Sequence, residues 1–353
     1  MSDLEHVLRR WDGLATVVRH DALTDAWIFI ALHDDSLGRP MGGTRMKVYP
    51  SPADGLRDAH RLAEGMTHKW AAAGVELGGG KAVLALSRAL ERPEREGLLR
   101  RYGRLVESLG GSFSTGQDLG TTPEDMTTIA GETRFVHGRA GAGVTDPGPF
   151  TARGVFAAVG AVARSLWGGS DLTGRRVLIQ GVGDVGEPLA RHLREAGAEL
   201  VFSDVDEARA EALAAELGAT TVSPSEVYGT PCDVFAPCAI GGVLNSETVP
   251  KLACRAVCGS ANNQVDRPED ADLLHGRDIL YAPDYIANSG GAIAFSSMAR
   301  GVPEAEFLAR IDGIGRVLDE VFAEAEREGR SPLWTARRRV ERMLDAARHK
   351  ATA

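Results

Sequence analysis

Residues 176–186 read RVLIQGVGDVG, and this stretch decides the fold. Arg176–Gln180 is a short apolar run of strand character. It leads straight into Gly181, Val182, Gly183, Asp184, Val185 and Gly186, a GxGxxG spacing, and a helical pattern opens at Gly186. The spacing alone is a weak signal, but a strand before it and a helix after it are the context that dinucleotide binding demands. The N–H groups at the start of such a helix can take a pyrophosphate. Asp204 ends the next strand, Glu199–Ser203, eighteen residues after Gly186 (204 − 186). A carboxylate there accepts both ribose hydroxyls of NAD and repels the 2′-phosphate of NADP. Asp206 adds negative charge, and no arginine follows Asp204 directly. The expected cofactor is NAD.

Strand and helix alternate on either side of this turn. A helix is expected over about 152–167, another over Glu207–Leu217, and further strands near 233–235, 255–258 and 279–282. Such alternation means a doubly wound parallel sheet of Rossmann type. Three polar loops follow the later strands: 236–239 with Cys238 and Ala239, 261–263 with Asn262 and Asn263, and 288–291 with Asn288. All three belong at the carboxyl edge, where the nicotinamide half of the cofactor lies. The last fifty or so residues read as two long helices. The final one is rich in arginine (Arg337, Arg338, Arg339, Arg342), most simply a solvated face.

Upstream, residues 138–149 (GRAGAGVTDPGP) are rich in glycine and proline and lack periodicity, as expected of a domain crossing and hinge. Before the crossing, residues 26–32 alternate and a second extended piece covers 44–49, which together suggest an antiparallel ribbon. Gly38 to Gly43 then reads as the intervening turn, with Gly42 and Gly43 opening backbone N–H groups. Ser51, Pro52 and Asp54 form a helix start. Lys69 falls near the end of that helix, beside its apolar stripe. Gly78, Gly79 and Gly80 precede Lys81, as in a tight turn from which a lysine emerges either to hold an anion or to act as a base. Asp118 follows another strand, in a loop before the helix start Thr122-Pro123. Lys69, Lys81 and Asp118 are the best polar set in this half. Two lysines held close repel each other, and burial adds to that, so one of them can reach the range of a general base near neutral pH.

The totals exclude other classes. A chain of 353 residues forms two domains rather than one core. A net charge of −9 argues against nucleic acid as a partner. The N-terminal residues lack the apolar core of a signal peptide, and no apolar run suits a membrane span, so the cytoplasm is the expected compartment. Cys232, Cys238, Cys254 and Cys258 form no CxxC pair and read as buried, reduced thiols rather than a metal site. Neither HExxH nor GxSxG occurs. Gly80-Lys81 fails as a phosphate loop, since Val75 is not glycine and Ala82 cannot bind magnesium.

Residues 40–45 (PMGGTR), 65–69 (GMTHK), 77–81 (LGGGK), 115–118 (TGQD), 180–186 (QGVGDVG), 236–239 (APCA), 259–264 (GSANNQ) and 281–285 (YAPDY) carry a resemblance over nearly the whole chain. The chain resembles the leucine, valine, phenylalanine and tryptophan dehydrogenases, relatives of glutamate dehydrogenase. The resemblance implies NAD-dependent, reversible oxidative deamination of an L-amino acid to a 2-oxo acid and ammonium.

Further roles follow from the resemblance alone. Lys69 and the backbone around Gly42 and Gly43 would hold the substrate carboxylate, Lys81 would activate water, and Asp118 would shuttle protons. Asn262, Asn263 and Asn288 would lie around the nicotinamide and the polar end of the substrate, and Thr151 near the carboxamide. Met41, Gly116, Ala292 and Phe295 would line the side-chain pocket. Small residues at 116 and 292 leave room for a phenylalanine or tryptophan ring, whereas Phe295 could close the pocket down to leucine. Gln117 resembles the tryptophan-type loop, and aromatic substrates are favoured slightly over branched ones. Ser260, Ser289, His68 and the pair Gly148-Pro149 depart from the family pattern and bear on cofactor geometry. The implied architecture is an N-terminal α/β substrate and oligomerisation domain (1–145), a Rossmann domain (146–330) and a C-terminal helix (331–353) packing back on the first domain. A deep cleft would separate the domains, and a homo-oligomer would form. A hydroxy-acid dehydrogenase and a catalytically silent NAD or amino-acid sensor are the competing readings.

Overall fold

The computed structural model describes residues 3–140 and 146–352. Residues 141–145, the middle of the expected crossing, lie outside the described residues. Two compact units divide the chain: Met1–Thr145 with Arg342–Ala353, and Asp146–Glu341.

The first unit runs α1 (Asp3–Arg9), β1 (Ala15–Asp21), β2 (Ala26–Asp34), β3 (Pro40–Val48), α2 (Pro52–Ala72), β4 (Gly78–Leu86), α3 (Arg92–Ser108), β5 (Ser114–Gln117) and α4 (Pro123–Ala130). Its five-stranded sheet has the order β1-β2-β4-β3-β5. Alternate residues of β2 and β4 face opposite layers, as strand geometry requires. Ile28, Ile30, Ala82 and Leu84 pack with Leu98, Tyr102 and Ile129 of α3 and α4. Phe29, Ala31, Val83 and Ala85 pack with Leu56, Ala59 and Ala63 of α2. The sheet is therefore covered on both faces, which explains why all nine residues of β4 are buried.

Two sequence expectations need correction here. The antiparallel partner of β2 is β1, and β3 instead runs parallel to β4 and β5, because β4 inserts between β2 and β3. The glycines at 42–43 and 78–80 are not turns; they lie inside β3 and β4. They allow close packing instead. A Cβ on Gly42 would stand 1.8 Å from the Gly80 carbonyl oxygen. One on Gly79 would stand 1.9 Å from Thr67 Oγ1, and one on Gly80 would meet the Phe113 ring at 2.8 Å. Lys81 accordingly emerges from mid-strand, on the face of β4 that meets α2. The start of α2 follows the sequence: the Ser51 hydroxyl accepts the Asp54 N–H at 3.3 Å, with Pro52 in the first turn.

The second unit runs α5 (Gly148–Trp167), β6 (Arg176–Gln180), α6 (Gly186–Glu195), β7 (Glu199–Ser203), α7 (Glu207–Leu217), β8 (Thr220–Thr221), β9 (Val234–Pro237), β10 (Ala256–Val257), α8 (Asp270–His275), β11 (Leu280–Tyr281), α9 (Asp284–Ala287), α10 (Gly290–Ala299), α11 (Glu304–Asp312), α12 (Ile314–Glu328) and α13 (Pro332–Thr352). The six strands pair in parallel in the order β11-β10-β9-β6-β7-β8. This is the doubly wound order, with the reversal between β6 and β9 that opens a crevice at their carboxyl ends. α5 starts a turn earlier than expected, at Gly148 with Pro149 in its first turn. The terminal region holds three helices rather than two, because Gly313 separates α11 from α12. The change of unit falls within α13. There Arg348 donates to the Asp34 carboxylate and, at 3.2 Å, to Ser36 Oγ. No helix among the described residues is long and apolar enough to cross a membrane.

Gly79→Ala is expected to cost about 2 kcal/mol by forcing β4 away from α2, as overpacking does. The check is a lowered denaturant midpoint with unchanged m-value.

Candidate active site

Lys81 is 4% exposed, and its Nζ lies 3.0 Å from Oδ1 of Asp118. The loop that carries Asp118 past the end of β5 is fixed by its own backbone. Asp118 N–H donates to Thr121 Oγ1 at 3.0 Å, and Met46 N–H to the Leu119 carbonyl at 2.9 Å. Gly120 adopts φ 81° and sits where a Cβ would be 1.8 Å from the Met46 carbonyl oxygen. Gly43 also makes room for Asp118: a Cβ there would be 2.8 Å from Asp118 Cβ and 2.6 Å from the Gln117 carbonyl oxygen. The other oxygen of Asp118, Oδ2, accepts Arg45 Nε at 2.9 Å. Arg45 in turn donates from Nη1 to Asp58 Oδ2 at 3.1 Å, and Asp58 also accepts Tyr49 OH at 2.6 Å and Arg61 Nη2 at 2.9 Å.

Burial pushes the Lys81 ammonium below its usual range; the Asp118 carboxylate opposes this and Arg45 adds to it. Burial alone would raise Asp118, but Lys81 and Arg45 outweigh it and hold the carboxyl well below the usual carboxylate range. The pair is therefore an ionised acid beside a lysine that burial holds below the usual ammonium range. Of the other residues expected in this half, Lys69 sits half-buried in the last turn of α2. The neighbouring Trp70 donates to the Met41 carbonyl at 3.0 Å, and Met66 lies against Gly42, so that end of α2 runs along Met41, Gly42 and Gly43. A Cβ on Gly116 would make only an ordinary van der Waals contact, with the His137 carbonyl oxygen at 3.7 Å, so the protein itself does not demand glycine there. His68 is half-buried.

In the second unit, Gly181, Gly186, Cys238 and Ala239 come together past the carboxyl ends of β6 and β9. Gly181 takes φ 94°, and a Cβ there would stand 2.7 Å from that of Ala239. A Cβ on Gly186 would stand 1.9 Å from the Gly181 carbonyl oxygen and 3.5 Å from Cys238 Cβ. Protein contacts thus require glycine at both positions. Gly183 differs: nothing lies within 4 Å of a Cβ built there, so the protein itself does not ask for glycine. A backbone that must stay bare only toward the outside fits close approach by a pyrophosphate at the N-terminus of α6. Gly148 of α5 lies against the Asp184 carbonyl, and Thr151 Oγ1 is close to Gly291, which brings the starts of α5, α6 and α10 together.

Asn288 donates from Nδ2 to the Ser260 carbonyl at 3.0 Å and to Asn262 Oδ1 at 2.9 Å. Its own Oδ1 is a buried acceptor without a hydrogen bond, and so is Gln180 Oε1 just before the glycine turn. Unfilled buried acceptors call for an explanation, and amide donors of a bound ligand would supply one. Asn263 holds φ 52° while its carbonyl accepts Gly242 N–H at 2.7 Å. Ala292 and Phe295 are half-buried in α10. Ser289 Oγ donates locally to the Ile286 carbonyl at 2.7 Å. Cys258 is buried, whereas the other three cysteines are partly exposed; all four are free thiols, and burial pushes Cys238 up. Among the described residues no three His, Cys, Asp or Glu side chains cluster to hold a metal ion.

Asp204 accepts the Val182 N–H at 2.8 Å and the Asp206 N–H at 2.9 Å. It also accepts Arg209 Nη2 at 2.9 Å. Nothing directly beside Asp204 in the sequence marks this arginine; the first turn of α7 brings it back to the carboxylate. Arg45, Asp58 and Tyr49 were likewise missed as site residues. Thirteen positions separate Arg45 from Asp58, and no local periodicity joins a strand to a helix across that distance.

A glycine turn between strand and helix in one unit and a buried lysine–aspartate pair in the other are features that a dehydrogenase would use. The model of the Glu/Leu/Phe/Val dehydrogenase dimerisation domain matches residues 19–135, and that of glutamate/leucine/phenylalanine/valine dehydrogenase matches 143–208 and 202–306. Leucine dehydrogenase of Geobacillus stearothermophilus is 40% identical over 321 residues, covering 90% of this chain and 87% of its own. Phenylalanine dehydrogenase of Lysinibacillus sphaericus is 38% identical over 336 residues, covering 92% and 87%. The crystal structure of L-tryptophan dehydrogenase from Nostoc punctiforme superposes with a TM-score of 0.83 at 38% identity, covering 98% of this chain and 100% of that one. The chain belongs to the glutamate/leucine/phenylalanine/valine dehydrogenase family. It is an amino-acid dehydrogenase, an oxidoreductase acting on CH–NH2 groups.

Gly43→Ala is expected to displace Asp118 from Lys81 and to lower turnover at least tenfold, as small misplacements of reacting groups do. Steady-state rates beside a thermal unfolding curve separate this from loss of fold.

Proposed function

We propose that the protein uses NAD to deaminate a large apolar L-amino acid oxidatively and reversibly, yielding the 2-oxo acid, ammonium and NADH. The observation that carries this reading is the buried Lys81–Asp118 pair, 3.0 Å apart. Lys69 holds the substrate carboxylate, assisted by the backbone at Gly42 and Gly43. Lys81 in its neutral form takes a proton from water, and the resulting hydroxide adds to the α-carbon of the imino acid. Asp118 passes protons to and from the amino nitrogen, which leaves as ammonia. Bound NAD supplies the hydride acceptor. Gly181, Gly183, Asp184, Val185 and Gly186 cradle its pyrophosphate, and Asp204 accepts from the ribose. Thr151, Cys238, Ala239, Asn262 and Asn288 lie around its nicotinamide half.

In the first unit, Met41 and Gly116 flank the side chain of the substrate. The bare backbone at Gly116, where the protein itself does not demand glycine, supports an aromatic substrate, phenylalanine or tryptophan. The likeness to leucine dehydrogenase supports a branched-chain substrate as the second reading. The first unit, matched by a family model described as a dimerisation domain, joins copies of the chain into a homo-oligomer.

NADH formation across the twenty L-amino acids at alkaline pH tests the reaction, with phenylalanine and tryptophan expected to exceed leucine and valine. No signal with any amino acid would overturn the proposal. Lys81→Ala should bind NADH normally yet lose turnover by a factor of about a thousand or more, in the range that removal of a general base costs. Gly183→Ala should unfold at the wild-type temperature, since its methyl meets no protein atom, and yet bind NADH at least tenfold more weakly. Unchanged NADH binding in that variant would remove the pyrophosphate from this turn.

A further inference from the structure

Lys81 faces a difficulty of its own making. To act as a base it must shed its proton, but a carboxylate 3.0 Å away favours keeping it. The structure holds a second cation at that carboxylate. Asp118 gives Oδ1 to Lys81 and Oδ2 to Arg45 Nε, so its negative charge is divided between the two. Arg45 is itself only 12% exposed along its side chain and is held from behind by Asp58. Asp58 also accepts from Tyr49 and Arg61, and with Tyr49 pushed up by burial and by Asp58, that hydroxyl stays a donor.

The groups facing Lys81 come from three elements: Arg45 on β3, Asp58 on α2, and Asp118 after β5. Tyr49 and Arg61 form the layer behind Asp58, and Lys69 shares α2. Arg61 is half exposed and draws on Asp58 from the solvent side, whereas Arg45, Asp58, Asp118 and Lys81 are enclosed, so the sharing of Asp118 between Arg45 and Lys81 takes place away from water.

Resting on the reading of Lys81 as the base, we propose that Arg45 is a positioning residue that keeps Lys81 available as a base by claiming one oxygen of Asp118, and that Asp58 sets how strongly it does so. Arg45 touches neither substrate nor cofactor in this role; it acts through Asp118. An arginine suits it because its fixed planar fork presents separate donors, Nε and Nη1, to the two carboxylates at once. The cause agrees in sign with the electrostatics of the site, where Arg45 lowers Lys81 and Asp118 raises it.

The two arms of the cluster give opposite expectations. In Arg45→Met, Asp118 belongs to Lys81 alone, and the acid limb of the kcat/KM profile for oxidative deamination should move up by about one pH unit or more. In Asp58→Asn, Arg45 is released wholly to Asp118 and a negative charge near Lys81 is gone, so the limb should move down. Arg45→Lys keeps the charge and should restore the position of the limb but not the full kcat. A merely structural role would lower kcat in all three without moving the limbs apart. Limbs that stay put, or that move the same way in Arg45→Met and Asp58→Asn while NADH binding is intact, would overturn the proposal. Should Arg45→Met fail to fold, Asp58→Asn decides alone: a downward shift supports the proposal, and no shift or an upward one refutes it. Lys81→Ala measured alongside separates the two levels. Retained turnover there would remove the base itself. A dead Lys81→Ala with unmoved limbs would remove only the role of Arg45.

Discussion

An ammonium group in the middle of a strand buried on both faces is the constraint from which the first unit follows. Moving a charge out of water costs several kcal/mol unless it is paired and hydrogen-bonded. Lys81 therefore needs Asp118, and Asp118 can reach it only because Gly43 leaves its side clear and because the loop from Asp118 to Thr121 is pinned to β3. Asp118 brings Arg45, and Arg45 brings Asp58. Each charge is tolerated because the next one is present, and the chain of partners ends at Arg61, which is half-exposed. The glycines of β3 and β4 serve the same end. Where Gly42, Gly79 and Gly80 lack side chains, β3, β4 and α2 close up around Lys81 and exclude water from it.

The second unit divides its glycines by a different rule. Gly181 and Gly186 answer to the protein: one takes a left-handed φ against Ala239, the other packs helix against strand. Gly183 answers to nothing inside the chain. The same motif thus holds two structural residues and one left bare toward the outside, a distinction the pattern GxGxxG does not express. Asp204 shows a comparable division. Its carboxylate is committed on one oxygen to the glycine turn through Val182 and on the other to Asp206 and Arg209, so the acid proposed to meet the ribose also holds the turn in shape.

Local signals were legible in the sequence and relations between distant strands were not. The cap at Ser51, the box at Thr122 and Asp125, and the strands Arg176–Gln180 and Glu199–Ser203 are fixed by their neighbours in the chain, and they were read correctly. The parallel sheet followed from alternation. The insertion of β4 between β2 and β3 did not, because nothing in residues 26–49 records which strand will come between them. Glycine runs misled for a related reason: a bare backbone suits a turn or a close approach equally, and only the partner atoms, such as Thr67 Oγ1 beside Gly79, decide. Lys81 and Asp118 were found as isolated polar residues at strand ends and glycine edges. Arg45, Asp58 and Arg209 were not, since their meaning lies in pairings across thirteen residues or around a helical turn.

One consequence of the buried cluster concerns the solvent rather than the protein. Dissolved ions screen exposed charges over roughly 8–10 Å and reach enclosed pairs far less. The surface bridges Arg9–Glu5 and Arg310–Glu306 are open to that screening, whereas Lys81, Arg45, Asp58 and Asp118 are not. The proton affinity of the Lys81 amine is thereby insulated from the ionic strength around it. Salt can change what happens at the surface, while Lys81 keeps its own internal electrolyte of one arginine and two aspartates.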